Sequence, residues 1–316
     1  MQRRSINFSL GKELYQKERK YGDIIKSPRK FGVEFEMVPD KKVHKTMLLM
    51  AKLHEKTSDL IPDAWGNGLD GSLSDRDNGV EVQTAPMMLK IGEDTIKKFC
   101  KDMSNLGWIT DRSCGIHVHL DAADIKSSPE LVRRLFLLYF VMDYTILAMV
   151  SLERRSNIYC APLDATKARN LLRWQNRQYD KGFAIEKIIS SQPTRKDFLE
   201  MFYKKSMDQM PSELANHYNE ARYHGINFHP LYSSFGTVEV RYLEGTFDYD
   251  TILKWTAFHQ HIVDSARMIR EVEAIELFHI KGPKTRLRRF ADMTNMPEYL
   301  VAFAEERIDK YKVTKK

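Results

Sequence analysis

The chain has 316 residues, of which 42% are hydrophobic, and a formal net charge of +7. This length allows one large domain or two ordinary ones with a filled core, and the apolar fraction is that of a soluble globular protein. The three cysteines lack CxxC spacing and are too few for a disulfide framework. No apolar signal segment follows the basic N-terminus. We therefore expect a cytoplasmic protein rather than a secreted one.

The most apolar stretch, at 135–150, is shorter than the roughly 20 residues needed to cross a bilayer, and it contains Asp143. It predicts a buried helix, and we expect no membrane partner. Positive charges gather in the N-terminal segment and near the end of the chain. No aromatic-basic recognition motif accompanies them, so we interpret them as solvated surface and do not expect a nucleic-acid partner.

In chain order, the pattern predicts a basic extension at 1–30, a core at 31–275 and a basic helical tail at 276–316. The predicted elements are a weak helix at 9–20, a strand from 31, a helix at 41–57, a loop at 65–79, a strand ending at Pro86, helices at 92–106 and 129–150 on either side of the His117 strand, a helical insertion at about 163–221, strands around 225–228 and Glu239, and a helix at 249–275. Strands mixed with long helices, without a Gly-rich βαβ fingerprint, indicate an α+β fold with a mainly antiparallel sheet.

Four of the predicted strand segments repeat one pattern, in which an apolar residue separates two polar ones. They are Glu34-Phe35-Glu36, Glu81-Val82-Gln83, His117-Val118-His119 and Glu239-Val240-Arg241. Because successive side chains of a strand point to opposite faces, the polar residues should share one face while the apolar residues pack on helices. Carboxylates, imidazoles and a guanidinium gathered in one cavity indicate a divalent-metal site that handles phosphate.

The carboxylates of this face suit magnesium, which prefers hard oxygen ligands and keeps waters and phosphate oxygens beside them. Glu34, Glu36, Glu81 and Glu239 would repel one another when desolvated, and bound cations would remove that cost. Arg241 is suited to a phosphate clamp, since guanidinium binds phosphate oxygens in a bidentate way.

Each motif taken singly also has a structural interpretation. ExE is often solvated charge, HxH is often structural or a zinc pair, and ExR is a common cross-strand salt bridge. Asp70-Gly71 can equally be a simple turn, and Cys114 and Cys160 are better explained as small buried residues than as nucleophiles. HExxH and the GxxxxGK[ST] loop are both missing from the sequence. It is the combination of the four segments that favours a functional site.

Several segments, in this order, resemble the putative amidoligases of the carboxylate-amine ligase superfamily, which includes glutamine synthetase and glutamate-cysteine ligase. The resemblance covers about 31–265 and rests on Phe31-Gly32-Val33-Glu34-Phe35-Glu36, Asp70-Gly71-Ser72-Leu73, Gly79-Val80-Glu81-Val82-Gln83-Thr84-Ala85-Pro86, Cys114-Gly115-Ile116-His117-Val118-His119-Leu120, Asn157-Ile158-Tyr159-Cys160, Arg222-Tyr223 with Ile226-Asn227-Phe228, and Thr237-Val238-Glu239-Val240-Arg241 with Gly245-Thr246. It implies a catalytic domain at 31–275 with a glutamine synthetase-like curved sheet, helices on its convex face and the active site in the concavity.

The resemblance also implies cofactors and roles for individual residues. Glu34, His117 and Glu239 would hold one Mg²⁺ or Mn²⁺, and Glu36 and Glu81 another. ATP would phosphorylate a substrate carboxylate, and an amine would then displace the phosphate to form an amide.

The other implied roles concern residues around those ligands. Arg241 would stabilise the transferring phosphoryl group, and Arg222 would bind phosphate or the substrate carboxylate. His119 would contact nucleotide or substrate, and Asn227 would contact the cofactor. Asp70 with Ser72 would order the loop or contact the amine. Arg222 could instead form a helix-end salt bridge.

The sequence leads to an ATP-dependent amide-forming ligase that acts on an amino acid, a peptide or a protein side chain. The alternatives are a metal-dependent hydrolase or phosphotransferase with the same Glu/His cluster, and a non-catalytic binding protein of the same fold. A ligase should release phosphate only when both a carboxylate and an amine are present, whereas a hydrolase would need no nucleotide.

Overall fold

The computed structural model describes residues 27–40, 66–163, 224–232 and 235–312. The strands of this part are β1 Phe31–Pro39, β2 Gly66–Leu69, β3 Val80–Gln83, β4 Trp108–Ile109, β5 Gly115–Asp121, β6 Ile226–Asn227 and β7 Thr237–Glu244. The helices are α1 Leu89–Asn105, α2 Ala123–Lys126, α3 Pro129–Ala148, α4 Leu152–Arg155, α5 His229–Tyr232, α6 Tyr249–Ser265, α7 Glu271–His279, α8 Pro283–Thr294 and α9 Glu298–Lys310, with a 3-10 turn at Ile158–Cys160.

The strands form one antiparallel sheet, in the order β2-β3-β1-β5-β7-β6, and β4 pairs with the end of β1. Helices and an antiparallel sheet in one chain make this an α+β protein, as the sequence predicts. Strand β1 lies between β3 and β5, so the residues of the first predicted polar segment have neighbours on both sides. The pairing of β5 with β7 contains a bulge between Ile116 and Val118.

The two faces of the sheet differ as the alternation predicts. The side chains of Phe31, Val33, Phe35 and Met37 in β1 are buried, and the ring of Phe35 lies 4.5 Å from that of Phe99 in α1, measured between ring centroids. Gly92 in α1 lets this helix approach closely, because a Cβ there would lie only 2.6 Å from the ring of Phe31. The helix-packed face thus holds the core, and the opposite face, here called the front face, carries the polar residues.

Helix α3 is the buried helix that the apolar stretch predicts. Pro129 occupies its first turn and the hydroxyl of Ser128 accepts a hydrogen bond from the backbone N–H of Leu131, which are favourable features at a helix start. The carboxylate of Asp143 is buried but satisfied, since it accepts from the hydroxyl of Tyr242 at 2.6 Å and from the backbone N–H of Leu163 at 3.1 Å. Among the described residues, no helix combines the length and the apolar character needed to cross a bilayer.

The prediction of one long helix at 249–275 is wrong, because the chain forms α6 and α7 with a turn between them. The carboxylate of Glu273 accepts a hydrogen bond from the backbone N–H of Arg270 at 2.7 Å, which caps a new helix start. Ile269, in the turn, is buried in the core. A local cap and one buried side chain therefore outweigh the continuous helical pattern. Helix α1 also begins earlier than predicted, at Leu89.

The described part of the C-terminal tail is helical, as predicted, but its basic residues face carboxylates. Gly282 and Asn295, both with positive φ, begin and end α8. Ion pairs link basic side chains of α8 to acidic ones of α7 and α9: Lys284 to Asp309, Arg288 to Glu305, and Arg289 to Glu276. This part of the tail therefore carries mixed charge rather than a single basic face.

Several predictions lie outside the described residues. They are the helices at 9–20 and 41–57, nearly all of the insertion at 163–221, and Arg222. The two described ends that flank 164–223 are hydrogen-bonded neighbours, because the backbone N–H of Gly225 donates to the carbonyl of Ala161 at 2.9 Å. The two described ends therefore lie at one place, next to β7, since the backbone N–H of Arg241 donates to the carbonyl of Gly225 at 2.7 Å.

Candidate active site

The antiparallel register brings the predicted polar residues into direct cross-strand contact. Three pairs are opposite one another on neighbouring strands: Glu34 with His117, Glu36 with Glu81, and His119 with Glu239. We call the group on the front face the carboxylate–imidazole cluster, which consists of Glu34, Glu36, Asp70, Glu81, His117, His119 and Glu239. Alternation along four strands, predicted from sequence, thus places all of these side chains except that of Asp70 on one face.

His117 lies at the centre of this cluster and is only 2% exposed. Its Nδ1 lies 3.0 Å from Oε2 of Glu34 and 3.6 Å from Oε1 of Glu239, and its Nε2 lies 3.2 Å from Oε1 of Glu36. One imidazole therefore contacts carboxylates that come from two different strands, β1 and β7.

His119 binds the other side of Glu34. Its Nε2 lies 3.0 Å from Oε1 of Glu34, and its Nδ1 lies 3.1 Å from the hydroxyl of Thr237. Burial works to lower the pKa of His119, but the charge of Glu34, the hydrogen bond to Glu34 and the charge of Glu239 together outweigh it and raise the pKa to about 9. In the same way, burial works to raise the pKa of Glu34, but His119 and His117 outweigh it and hold that pKa well below its usual value. Without a metal, His119 and Glu34 form an ion pair.

Glu81 shows that the cluster holds more negative charge than the described residues around it neutralise. Burial, followed by the charge of Glu34, raises the pKa of Glu81 to about 7. Carboxylates placed close together in this way bind a proton or a cation, because leaving all of them ionised and desolvated is costly.

Three groups of side chains in the cluster have ligand atoms within 4.8 Å of one another, which is the spacing of a metal site. The groups are Glu34, His119 and Glu239; Glu34, Glu81 and His117; and Glu36, Asp70 and Glu81. The resemblance implied that His117 accompanies Glu34 and Glu239, and His117 does contact both of these carboxylates. His119 also lies with this pair, and His117 lies with Glu34 and Glu81 as well. Asp70 joins Glu36 and Glu81. Which residues bind each ion stays a prediction.

Arg241 and Asn227 both contact Glu239, deep on the front face. Arg241 donates through Nη1 to Oε1 of Glu239, and Asn227 donates through Nδ2 to Oε2 of Glu239 at 2.7 Å. Burial works to raise the pKa of Glu239, but the charges of Arg241, His119 and His117 together outweigh it and keep that pKa below its usual value. Glu239 and Arg241 therefore form a salt bridge within one strand, and Arg241 is placed beside the cluster.

Asp70 reaches the cluster from the loop after β2. Its Oδ1 accepts from the backbone N–H of Ser72 at 2.8 Å, so Asp70 forms the predicted turn and also lies at the predicted site. Ser72 itself is exposed. The next residues anchor the loop, because Ser74 donates through its hydroxyl to Asp111 and the backbone N–H of Ser74 donates to the hydroxyl of Ser113 at 3.0 Å.

Sequence reasoning missed residues that act on the site from other elements. Asp111 anchors the Asp70 loop, and Arg154 donates through Nη2 to the backbone carbonyl of Arg241. In sequence, Arg154 belongs to the charged run Glu153-Arg154-Arg155, which is typical of a solvated helix end. The only signal that could have found it is Gly115 in the His117 strand, whose missing side chain leaves space on the front face.

Fold and site together define a class: an α+β protein whose antiparallel sheet carries a metal-capable carboxylate–imidazole cluster beside a buried arginine. The model of a family described as "Putative amidoligase enzyme" matches residues 27–263, most of the chain, so the chain belongs to this family. This confirms the resemblance drawn from the motifs. Amidoligases are amide-bond-forming ligases. No curated protein matches the sequence.

Proposed function

We propose that the protein is an ATP-dependent carboxylate-amine ligase that works through an acyl phosphate. Family membership supports amide formation. The observation that carries ATP dependence is the overlap of the metal-capable groups: the group with Glu81 and His117 shares Glu34 with the first group and Glu81 with the third. Sharing ligands places divalent ions side by side, which is the arrangement that phosphoryl transfer uses to bind the attacking and leaving oxygens.

The donor chemistry of the cluster fits Mg²⁺ or Mn²⁺. Each of the three groups contains at least two carboxylates, and none contains a cysteine. Oxygen-rich sets of this kind suit magnesium and manganese, whereas thiolates select softer metals. The raised pKa of Glu81, caused first by burial and then by Glu34, agrees with a site that lacks positive charge. Bound ions would supply that charge and neutralise phosphate oxygens.

The proposed reaction has two displacements. An oxygen of the substrate carboxylate forms a bond to the γ-phosphorus of ATP, the bond from that phosphorus to the bridging oxygen breaks, and ADP leaves. The nitrogen of an amine then attacks the acyl carbon, the carbon–oxygen bond to phosphate breaks, and the amine loses a proton. Arg241, which Glu239 holds beside the cluster, would bind a phosphate oxygen as charge develops.

The substrate carboxylate is proposed to belong to an amino acid, a peptide or a protein side chain. The first test is calorimetric titration of ATP with and without magnesium, for the wild type and for Glu239→Gln. We expect magnesium-dependent binding that the variant loses. Glu244→Gln is the matched control, because Glu244 lies on the same strand but pairs with Arg307.

The second test detects the acyl phosphate. Hydroxylamine replaces the amine, and candidate carboxylates, beginning with free glutamate and glutamyl peptides, are incubated with ATP and magnesium. We expect a hydroxamate and one released phosphate for each turnover, both dependent on the carboxylate. Phosphate release that needs no carboxylate would indicate a phosphotransferase or hydrolase, and absence of nucleotide binding under any metal condition would indicate a binding protein.

A further inference from the structure

Arg154 extends from the short helix α4 onto the front face of the sheet. A Cβ added to Gly115 would lie 2.6 Å from Nη2 and 3.1 Å from Nη1 of Arg154. Gly115 and His117 are two residues apart in β5, so their side-chain positions share the front face. The guanidinium of Arg154 therefore occupies the place that a side chain at position 115 would have.

This place adjoins the carboxylate–imidazole cluster. The backbone N–H of Gly115 donates to Oε2 of Glu36 at 2.5 Å, so Glu36 and Arg154 both lie against Gly115. On its other side Arg154 donates through Nη2 to the carbonyl of Arg241. Arg154 is 3% exposed, close to the 6% of both Glu36 and Arg241, and so lies as deep as the cluster itself.

The charge of Arg154 is not matched by the part of the chain that the structure describes. Among the residues that the structure describes, that carbonyl of Arg241 is the one acceptor of its guanidinium, its buried Nε has no partner, and no carboxylate forms an ion pair with it. Buried guanidinium groups are normally paired, because desolvating an unpaired charge costs several kcal/mol. A bound anion would provide the missing partner.

Arg155, the next residue in the sequence, is by contrast a structural arginine. Its Nε donates to the carbonyl of Val150 at 3.1 Å, and its Nη2 donates to those of Ala148 at 3.2 Å and Tyr311 at 2.9 Å. These contacts hold the end of α3 against the C-terminal part of the chain. Two adjacent arginines thus differ: one is used by the fold, and the other keeps donors available beside the cluster.

We propose that Arg154 binds a phosphate oxygen of ATP, together with Arg241, on the side of the cluster that Glu36 occupies. This inference rests on the proposed ATP-dependent function. A phosphate group bound there would contact two guanidinium groups and the cations of the cluster at once. Guanidinium is suited to this role because its planar donors match the oxygens of phosphate.

The test is titration of ATP in the presence of magnesium into the wild type, Arg154→Gln, Arg154→Lys and the control Arg155→Gln. We expect the dissociation constant for ATP to be at least tenfold larger for Arg154→Gln and to increase less for Arg154→Lys. Arg155→Gln should leave the affinity nearly unchanged and should instead lower the melting temperature. Magnesium tripolyphosphate, which has no nucleoside, should show the same order of affinities if the lost contact is to phosphate.

A fourth variant tests the same contact without replacing Arg154, in case Arg154→Gln does not fold. Gly115→Ala keeps the charge but places a methyl group against Nη2, so it should displace the guanidinium and weaken ATP binding several-fold. Wild-type affinity in both Arg154→Lys and Gly115→Ala would overturn the proposed role of Arg154 but not the proposed function of the protein. A wild type that binds neither ATP nor tripolyphosphate would overturn the proposed function, and this inference with it.

Discussion

Two regions of the molecule bury charged groups, and they neutralise them in opposite ways. At the start of β1, Arg29 uses Nε to bind Asp264 at 2.6 Å and uses both Nη atoms to bind Asp124, at 2.6 and 2.9 Å. Every charge in that network has an opposite charge from another part of the chain. In the carboxylate–imidazole cluster, the carboxylates outnumber the cationic partners that the described part of the chain provides.

This difference indicates what each region is for. The Arg29 network is complete without a ligand, so its energy contributes to folding. The cluster is incomplete, and the pKa of Glu81, raised to about 7 by burial and by Glu34, records the unmatched charge. A folded protein bears such a cost where a bound ligand removes it, which is why strongly shifted pKa values are found at functional sites. Removing one charge from each region tests whether the two regions differ in this way.

The largest effect is expected from the cluster. Glu36→Gln removes a carboxylate that contacts His117 and the backbone of Gly115, and it should lower turnover by about 10²- to 10³-fold, the size typical for one preorganised charge-stabilising group. Metal affinity, measured by calorimetry, should fall as well. The melting temperature without metal should stay the same or rise, because one repulsive charge is gone. A variant that keeps wild-type turnover would contradict the assignment of the site.

The next effect belongs to the Arg29 network and should appear in stability. Arg29→Gln leaves Asp124 and Asp264 without their main partner and should lower the free energy of unfolding by about 2 kcal/mol in urea denaturation at neutral pH. This is less than the roughly 3–5 kcal/mol for a fully buried pair, since the two aspartate side chains are 40% and 35% exposed. ATP binding by the folded variant should be unchanged.

Arg267→Gln is the matched control for this variant. Arg267 also binds Asp124, at 2.6 Å, but its side chain is 49% exposed. Removing it should cost no more than about 0.5 kcal/mol, as expected for a surface ion pair. Equal losses in the two variants would mean that burial does not decide the strength of this network.

The smallest effect is a pH dependence of the free energy of unfolding that arises from His259 in α6. Burial lowers the pKa of His259 to about 3, and neither of its ring nitrogens has a partner among the described residues. Below a pH of about 6.5 the unfolded chain binds a proton there that the folded protein does not, so this residue makes the folded state less stable as the pH falls toward 3.

His259→Phe should remove this dependence and still fill the space, because the ring of His259 packs on Trp255 at 4.6 Å between centroids. The measurement is the free energy of unfolding of both proteins from pH 7 to pH 4. The difference between them should change by up to about 1.4 kcal/mol per pH unit in favour of the variant. Parallel curves would contradict a neutral buried histidine.

Much of the site could be predicted from sequence because it depends on local geometry. Alternation along a strand requires that Glu34 and Glu36 share a face, and that His117 and His119 share another strand's face. The apolar residues between them then have to pack on helices. The bounds of α3 and β7 follow from equally local signals, such as Pro129 at a helix start.

Other features could not be predicted because they depend on contacts between distant segments. The division of 249–275 into α6 and α7 depends on burial of Ile269 as well as on a local cap. The position of His119, as well as His117, beside Glu34 and Glu239 depends on strand register, which a sequence pattern leaves open.

The sequence by itself determined the fold class, the family and the residue types that meet on the front face. It could do so because strand periodicity and ordered motifs are properties of short segments. Only the tertiary structure decided which of these side chains touch, how Asp70 enters the cluster and where Arg154 lies. Those outcomes follow from pairing and packing across long sequence separations, where a side chain's partners and desolvation are set by segments that sequence patterns do not connect.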